Sequence, residues 1–133
     1  AVTDINLSAH EPHVRQWLND GFAGEMGYLH RNLEKRLHPE QLDPGTFRVI
    51  TARMNYLPAD TQPIEILANS NKAYISRYAL GRDYHKVLRG RLRALARRIE
   101  ENIGKFGYRV FVDSAPVLEK ALVYKFSTYK RGG

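Results

Sequence analysis

The chain of 133 residues contains no cysteine. Disulfides, thiolate metal centres and iron–sulfur ligation therefore cannot come from its side chains. No apolar run approaches the ~20 residues that a membrane span requires, and no signal-peptide pattern opens the chain. A cytoplasmic protein with no membrane partner is the expectation. The glycine-rich stretch Gly21-Phe-Ala-Gly-Glu-Met-Gly27 lacks both GxGxxG and P-loop spacing, so it is not read as a phosphate cradle. The histidines (His10, His13, His30, His38, His85) show no HExxH or other ligand spacing, so no metal site built by the protein is expected. Internal repeats and low-complexity segments are absent too.

Acid is also scarce. Fourteen Asp and Glu stand against 21 Lys and Arg, a net charge of +7. Nearly all of that excess lies between Arg82 and Arg109, where nine basic residues face three acids. Clustering of this kind attracts phosphates and speeds association with nucleic acid, although a solvated helix face kept soluble has the same composition. Otherwise 43% hydrophobic and 26% charged residues describe an ordinary globular domain, long enough for one real core.

The central stretch of the sequence is 108–120. Residues 108–112 are β-branched, aromatic or basic, follow Gly104 and Gly107, and predict a buried strand. Asp113 and Ser114 then suit a helix cap, Pro116 a first turn, and Val117, Leu118 and Ala121 an apolar stripe. Asp113 has two readings at this point. As a cap it is held ionised by backbone N–H groups; as a proton donor in a pocket it needs a raised pKa.

Elsewhere, 1–7 reads as a frayed strand end, and Pro12 opens a short helix with Trp17 as core. A basic helical piece covers 28–37, a strand 47–56, a polar loop with room for one helical turn 59–72 and a short strand 74–78. The best helix is 84–103, with Val87, Leu88, Leu92, Leu95, Ala96, Ile99 and Ile103 at steps of three and four. Gly90 inside it fits close packing against a neighbour or ligand and equally fits simple tolerance of a glycine. These elements predict a single α+β domain with a mixed or antiparallel central sheet flanked by helices.

The densest polar segment is Ser76-Arg-Tyr-Ala-Leu-Gly-Arg-Asp-Tyr-His-Lys86, a connection that suits ligand binding or, more plainly, a turn with Asp83 as a cap. Together with Phe111-Val-Asp-Ser-Ala-Pro-Val-Leu-Glu119 it resembles the two signature segments in the N-terminal half of epoxyqueuosine reductases. Gly24-Glu-Met26, Pro44-Gly45 and Met54-Asn-Tyr-Leu-Pro58 resemble the same region in the same order, so the resemblance spans about Leu7 to Ala121.

The resemblance implies a nitroreductase-like sheet. It also implies reduction of the epoxide of epoxyqueuosine in tRNA to queuosine, with cobalamin and two [4Fe-4S] clusters. In that family the acid matching Asp113 is the proposed proton donor to the epoxide oxygen. By the same analogy Ser76, Arg77, Tyr78, Asp83, Tyr84 and His85 contact cofactor or substrate, with Arg36 a further candidate. Arg89, Arg93 and Arg97 on the basic helix would meet tRNA phosphates without reading sequence.

Two departures stand beside it. The family continues into a cysteine-rich ferredoxin-like region and helical repeats, and 122–133 diverges from the Ala-Gly-Leu-Gly-Trp type of stretch that follows in the family. The expected organisation is thus 1–121 as a cobalamin-binding N-terminal domain, incomplete at its start, and 122–133 as a divergent tail. A truncated, monomeric product, inactive by itself, is expected. The alternative is a non-catalytic basic RNA-binding or structural remnant.

Overall fold

The computed structural model describes residues 1–129, which divide into two compact units. The first comprises Ala1–Ala52 and the chain from Ser114 on; the second is Arg53–Asp113.

In the first unit, β1 (Val2–Thr3) pairs antiparallel with β2 (Val49–Ile50), Val2 opposite Ile50 and Thr3 opposite Val49. The architecture is α+β, but among the described residues the sheet has only these two strands. Of the strand expected over 47–56, only two residues are paired. Helix α1 (Glu11–Asn19) carries Pro12 in its first turn, where a missing N–H costs nothing. The basic piece 28–37 breaks at Asn32 into α2 (Tyr28–Arg31) and α3 (Leu33–Leu37). Arg15 joins α1 to α3, its guanidinium bonding Glu11 at 2.7 Å and Glu34 at 2.8 Å.

Helix α6 (Glu119–Tyr129) packs on β1. There Lys125 forms an ion pair with Asp4 and donates to the Asn6 carbonyl at 2.7 Å. Leu7, Leu18, Ala23, Leu37 and Leu122 form the core of this unit. α6 runs through residues 121 and 122 without a break; positions 130–133 of the expected tail lie outside the described residues. Trp17, expected in the core, is 40% exposed, because its ring tilts onto Phe22 beside a cavity instead of filling the interior.

The second unit is organised by α5 (Tyr84–Ile103), which has the bounds its periodicity predicts. Asp83 caps its start by accepting the His85 backbone N–H at 2.9 Å, and Gly104, at φ 89°, ends it in a conformation that a side chain would disfavour. At Gly90 a Cβ would meet nothing within 4 Å among the described residues, so of its two readings simple tolerance fits and close packing does not. The polar loop 59–72 holds a short helix, α4 (Pro63–Ala68).

Two expected strands of this unit are absent. Residues 74–78 lead into a 3₁₀ turn, Arg77–Ala79, and 108–112 joins no ladder. Val112 is buried as predicted and Tyr108 is 41% exposed. The residue types of 108–112 suit a strand, but a strand exists only where a neighbour supplies the other half of each hydrogen bond. The helix expected directly after Asp113 also starts late. Residues 113–116 bend, the Val117 N–H bonds the Ala115 carbonyl at 2.8 Å, and α6 begins only at Glu119.

A candidate acid–base site at the start of the long helix

Asp113 is the only non-glycine residue among those described with a positive φ, 58°. An L-residue in this region costs on the order of 1–2 kcal/mol, and Asp is one of the few types that tolerate it. The strain has a visible product. Instead of capping a helix, the carboxylate turns to Tyr84, whose phenol donates to Oδ2 at 2.5 Å. The side chain remains 65% exposed. It is not locked among backbone amides.

The rest of the cluster is built by the capping turn of α5. One oxygen of Asp83, Oδ1, accepts both the His85 backbone N–H and, at 3.0 Å, the ring nitrogen Nδ1. That double contact fixes the imidazole, whose Nε2 stands 3.7 Å from Asp113 Oδ2. The Tyr84 and His85 rings stack with centroids 4.0 Å apart, and Tyr78 meets Tyr84 edge-on at 5.7 Å. Gly81, at φ 85°, makes the turn that brings the 3₁₀ segment and the helix start together.

The electrostatics follow from these contacts. Donation to Asp113 is the main reason that the Tyr84 phenol is pushed up to about 12; desolvation and the nearby charge of Asp113 add to it. The hydrogen bonds from the His85 side chain and backbone hold the Asp83 carboxyl below its ordinary value. For Asp83 the linkage sign is that of a depressed acid: its contribution to stability is present above the unfolded value of 3.8 and is lost as pH falls through the lower folded value.

Of the residues singled out from sequence, the structure therefore brings Tyr78, Asp83, Tyr84, His85 and Asp113 into one cluster. Arg77 lies in the adjoining 3₁₀ turn, where its Nη2 donates to Thr61 Oγ1 at 3.3 Å, and Ser76 precedes that turn, exposed. Thr61 was not foreseen, and a threonine in a polar loop 16 residues away gives no signal in sequence. Arg89, Arg93 and Arg97 recur every four residues along α5 and are all exposed, so they form one basic stripe.

Arg36 belongs to the other unit. It sits over the Tyr28 ring at 5.9 Å and lines a cavity of about 300 Å³ together with His13, Trp17, Leu18, Leu33 and Leu118. Its Nε is buried without a hydrogen-bond partner among the described residues. Among the described residues no group of three or more His, Cys, Asp or Glu could hold a metal ion, and no helix is long and apolar enough to cross a membrane.

A phenol bonded to an exposed carboxylate, and an imidazole 3.7 Å from that carboxylate, are the parts of an acid–base site. Comparison with known proteins gives the family of the chain. The family model described as epoxyqueuosine reductase QueG, DUF1730, matches residues 36–114, a span that contains the whole cluster. The epoxyqueuosine reductase of Pseudomonas aeruginosa is 55% identical over 121 residues, which are 91% of this chain and 34% of that protein. Those of Vibrio cholerae and Escherichia coli are 52% and 48% identical over 124 residues, covering 34% and 33% of their lengths. The chain thus spans about a third of the length of these relatives. No solved structure matches it. Its matched span, more than half of its length, shows that the chain belongs to the epoxyqueuosine reductase family.

Proposed function

We propose that the chain is the cobalamin-binding part of a tRNA epoxyqueuosine reductase, a cytoplasmic, monomeric enzyme that reduces the epoxide of epoxyqueuosine to queuosine. The observation that carries this reading is the exposed Asp113 carboxylate, held at a strained turn by Tyr84 and faced by His85. A nitroreductase-like sheet in the assembled enzyme is part of the same reading, supported by the strand-type residues at 108–112 and 47–56.

The residues present fit a corrin. Its rim of amides calls for hydroxyl and guanidinium partners, and its macrocycle for flat apolar ones. Ser76 and Arg77, at the 3₁₀ turn, offer the first kind; Tyr84, bonded to Asp113, and Tyr78, packed edge-on against Tyr84, offer the second. When bound, cobalamin supplies the reducing chemistry at the epoxide carbon. Asp113 supplies the proton that the epoxide oxygen takes as the C–O bond opens, and Tyr84 fixes the direction in which that proton is offered. With no cysteine, these residues do not fit an iron–sulfur cluster.

Titration of the chain with cob(II)alamin, followed in the visible spectrum, is expected to show a saturable shift. An unchanged spectrum at saturating protein would remove the corrin from the reading.

The stripe Arg89, Arg93 and Arg97 supports contact with tRNA phosphates. It is also the one observation that favours the second reading, a non-catalytic basic RNA-binding domain. Each phosphate contact contributes roughly 0.7–0.9 to the slope of log affinity against log salt. Replacing all three arginines by Gln is expected to weaken tRNA binding and flatten that slope by about 2 to 3. An unchanged slope would put the stripe on an idle face.

A further inference from the structure

We propose that the cavity of the first unit is a binding site for a small amphipathic carboxylate, with its apolar body among the leucines and its anion on Arg36. The site shares no residue with the acid–base cluster, and it gives Arg36 a different partner from the corrin that the resemblance implies. The cavity measures about 300 Å³, roughly twice the ~150 Å³ that admits benzene, and small-molecule sites begin at about this size. Its walls are Val14, Trp17 and Leu18 of α1, Leu29 of α2, Leu33 of α3 and Leu118 just before α6. Val14, Leu29, Leu33 and Leu118 are only half-buried, so the space is open to an entering ligand.

Arg36 decides the chemistry of the ligand. It is the one residue of that wall with a permanent charge, His13 being the other with a polar ring. Its Nε is a buried donor with no partner among the described residues, and a buried donor left unmade is costly, more so in a charged group. The nearest candidates to answer it are engaged elsewhere. Helices α1 and α3 carry one acid each, Glu11 and Glu34, and both bond Arg15, while α2 carries none. The Tyr28 ring, at 5.9 Å, offers the guanidinium a π face and no in-plane acceptor. A carboxylate supplies that acceptor, since its two oxygens match the fork of the guanidinium. The carbon chain behind it fills a space between leucines that water wets poorly. A neutral amphiphile would fill the same space and leave the charge unanswered, and a small anion would do the reverse.

Equilibrium dialysis of the chain against octanoate, its neutral isostere octanamide, and acetate tests the assignment. Octanoate is expected to saturate one site about tenfold or more tighter than octanamide, because the hydrogen bond to a charged group weakens when the ligand loses its charge. Acetate, which has no apolar body, is expected to show no saturable binding.

Two variants place the binding in this cavity. Arg36→Met keeps an apolar stem and removes the cation. It is expected to bring octanoate down to the affinity of octanamide and to leave octanamide within about twofold of the parent. Because it also deletes the orphaned donor, it is expected to unfold at no lower temperature than the parent. Val14→Phe fills the cavity from α1 and is expected to abolish the binding of both ligands. No saturable octanoate, equal affinities for octanoate and octanamide, a preference that survives Arg36→Met, or binding untouched by Val14→Phe would each overturn the assignment. Should a substitution cost the fold, the comparison of the two ligands on the parent chain decides.

Discussion

Asp113→Asn in the full-length protein is expected to bind corrin within about twofold of the parent and to reduce the epoxide at least about 10²-fold more slowly. The substitution isolates the proton from everything else the side chain does. Asn is isosteric and, like Asp, accepts the left-handed backbone, so φ 58° carries no new strain. Its carbonyl oxygen can still take the Tyr84 hydrogen bond. What it lacks is an ionisable O–H. Single-turnover reduction with pre-reduced enzyme separates the chemical step from electron supply, and visible titration reports the corrin. An unslowed variant would refute the acid role, and a variant that loses both activities would make Asp113 a cofactor contact instead.

The second large effect is one of stability. Leu122 is the largest fully buried side chain among those described, on a helix that rests against β1. Leu122→Ala is expected to lower the unfolding free energy by about 2–5 kcal/mol, the sum of lost transfer energy and an unfilled cavity. That is a large share of the roughly 5–15 kcal/mol typical of a domain. Urea unfolding measures it as a shift in midpoint at constant slope. Ile103→Ala, at a position 73% exposed, serves as the control and is expected to change stability by no more than about 0.5 kcal/mol. A loss below about 1 kcal/mol at Leu122 would mean that α6 does not contribute its apolar face to the core.

What the sequence made legible is what local physics decides. The bounds of α5 follow from its apolar period, an Asp cap and a Gly stop, all within 22 consecutive residues. That side chains of the polar segment gather at the start of α5 was legible for a similar reason, since hydroxyl, acid and imidazole groups crowd one short connection. Pairing was not legible. Residues 108–112 have strand chemistry, yet whether they join a ladder depends on a partner far away in sequence. Tyr84 and Asp113 are 29 residues apart, and nothing in either segment announces a 2.5 Å bond between them. Trp17 shows a third kind of gap: a large aromatic on a helix is expected inside, but its burial depends on whether the neighbouring helices close over it.

That placement of Trp17 determines what optical spectroscopy of the protein reports. It is the sole tryptophan, and it sits in the first unit beside the cavity lined by Leu18, Leu33 and Arg36. Indole emission is therefore a reporter of that unit alone, whereas the far-ultraviolet dichroism of the chain draws heavily on the 20 helical residues of α5 in the second. Recorded on one denaturant series, the two signals assign a separate midpoint to each half of the molecule, and superimposed curves would mean that both halves melt as one.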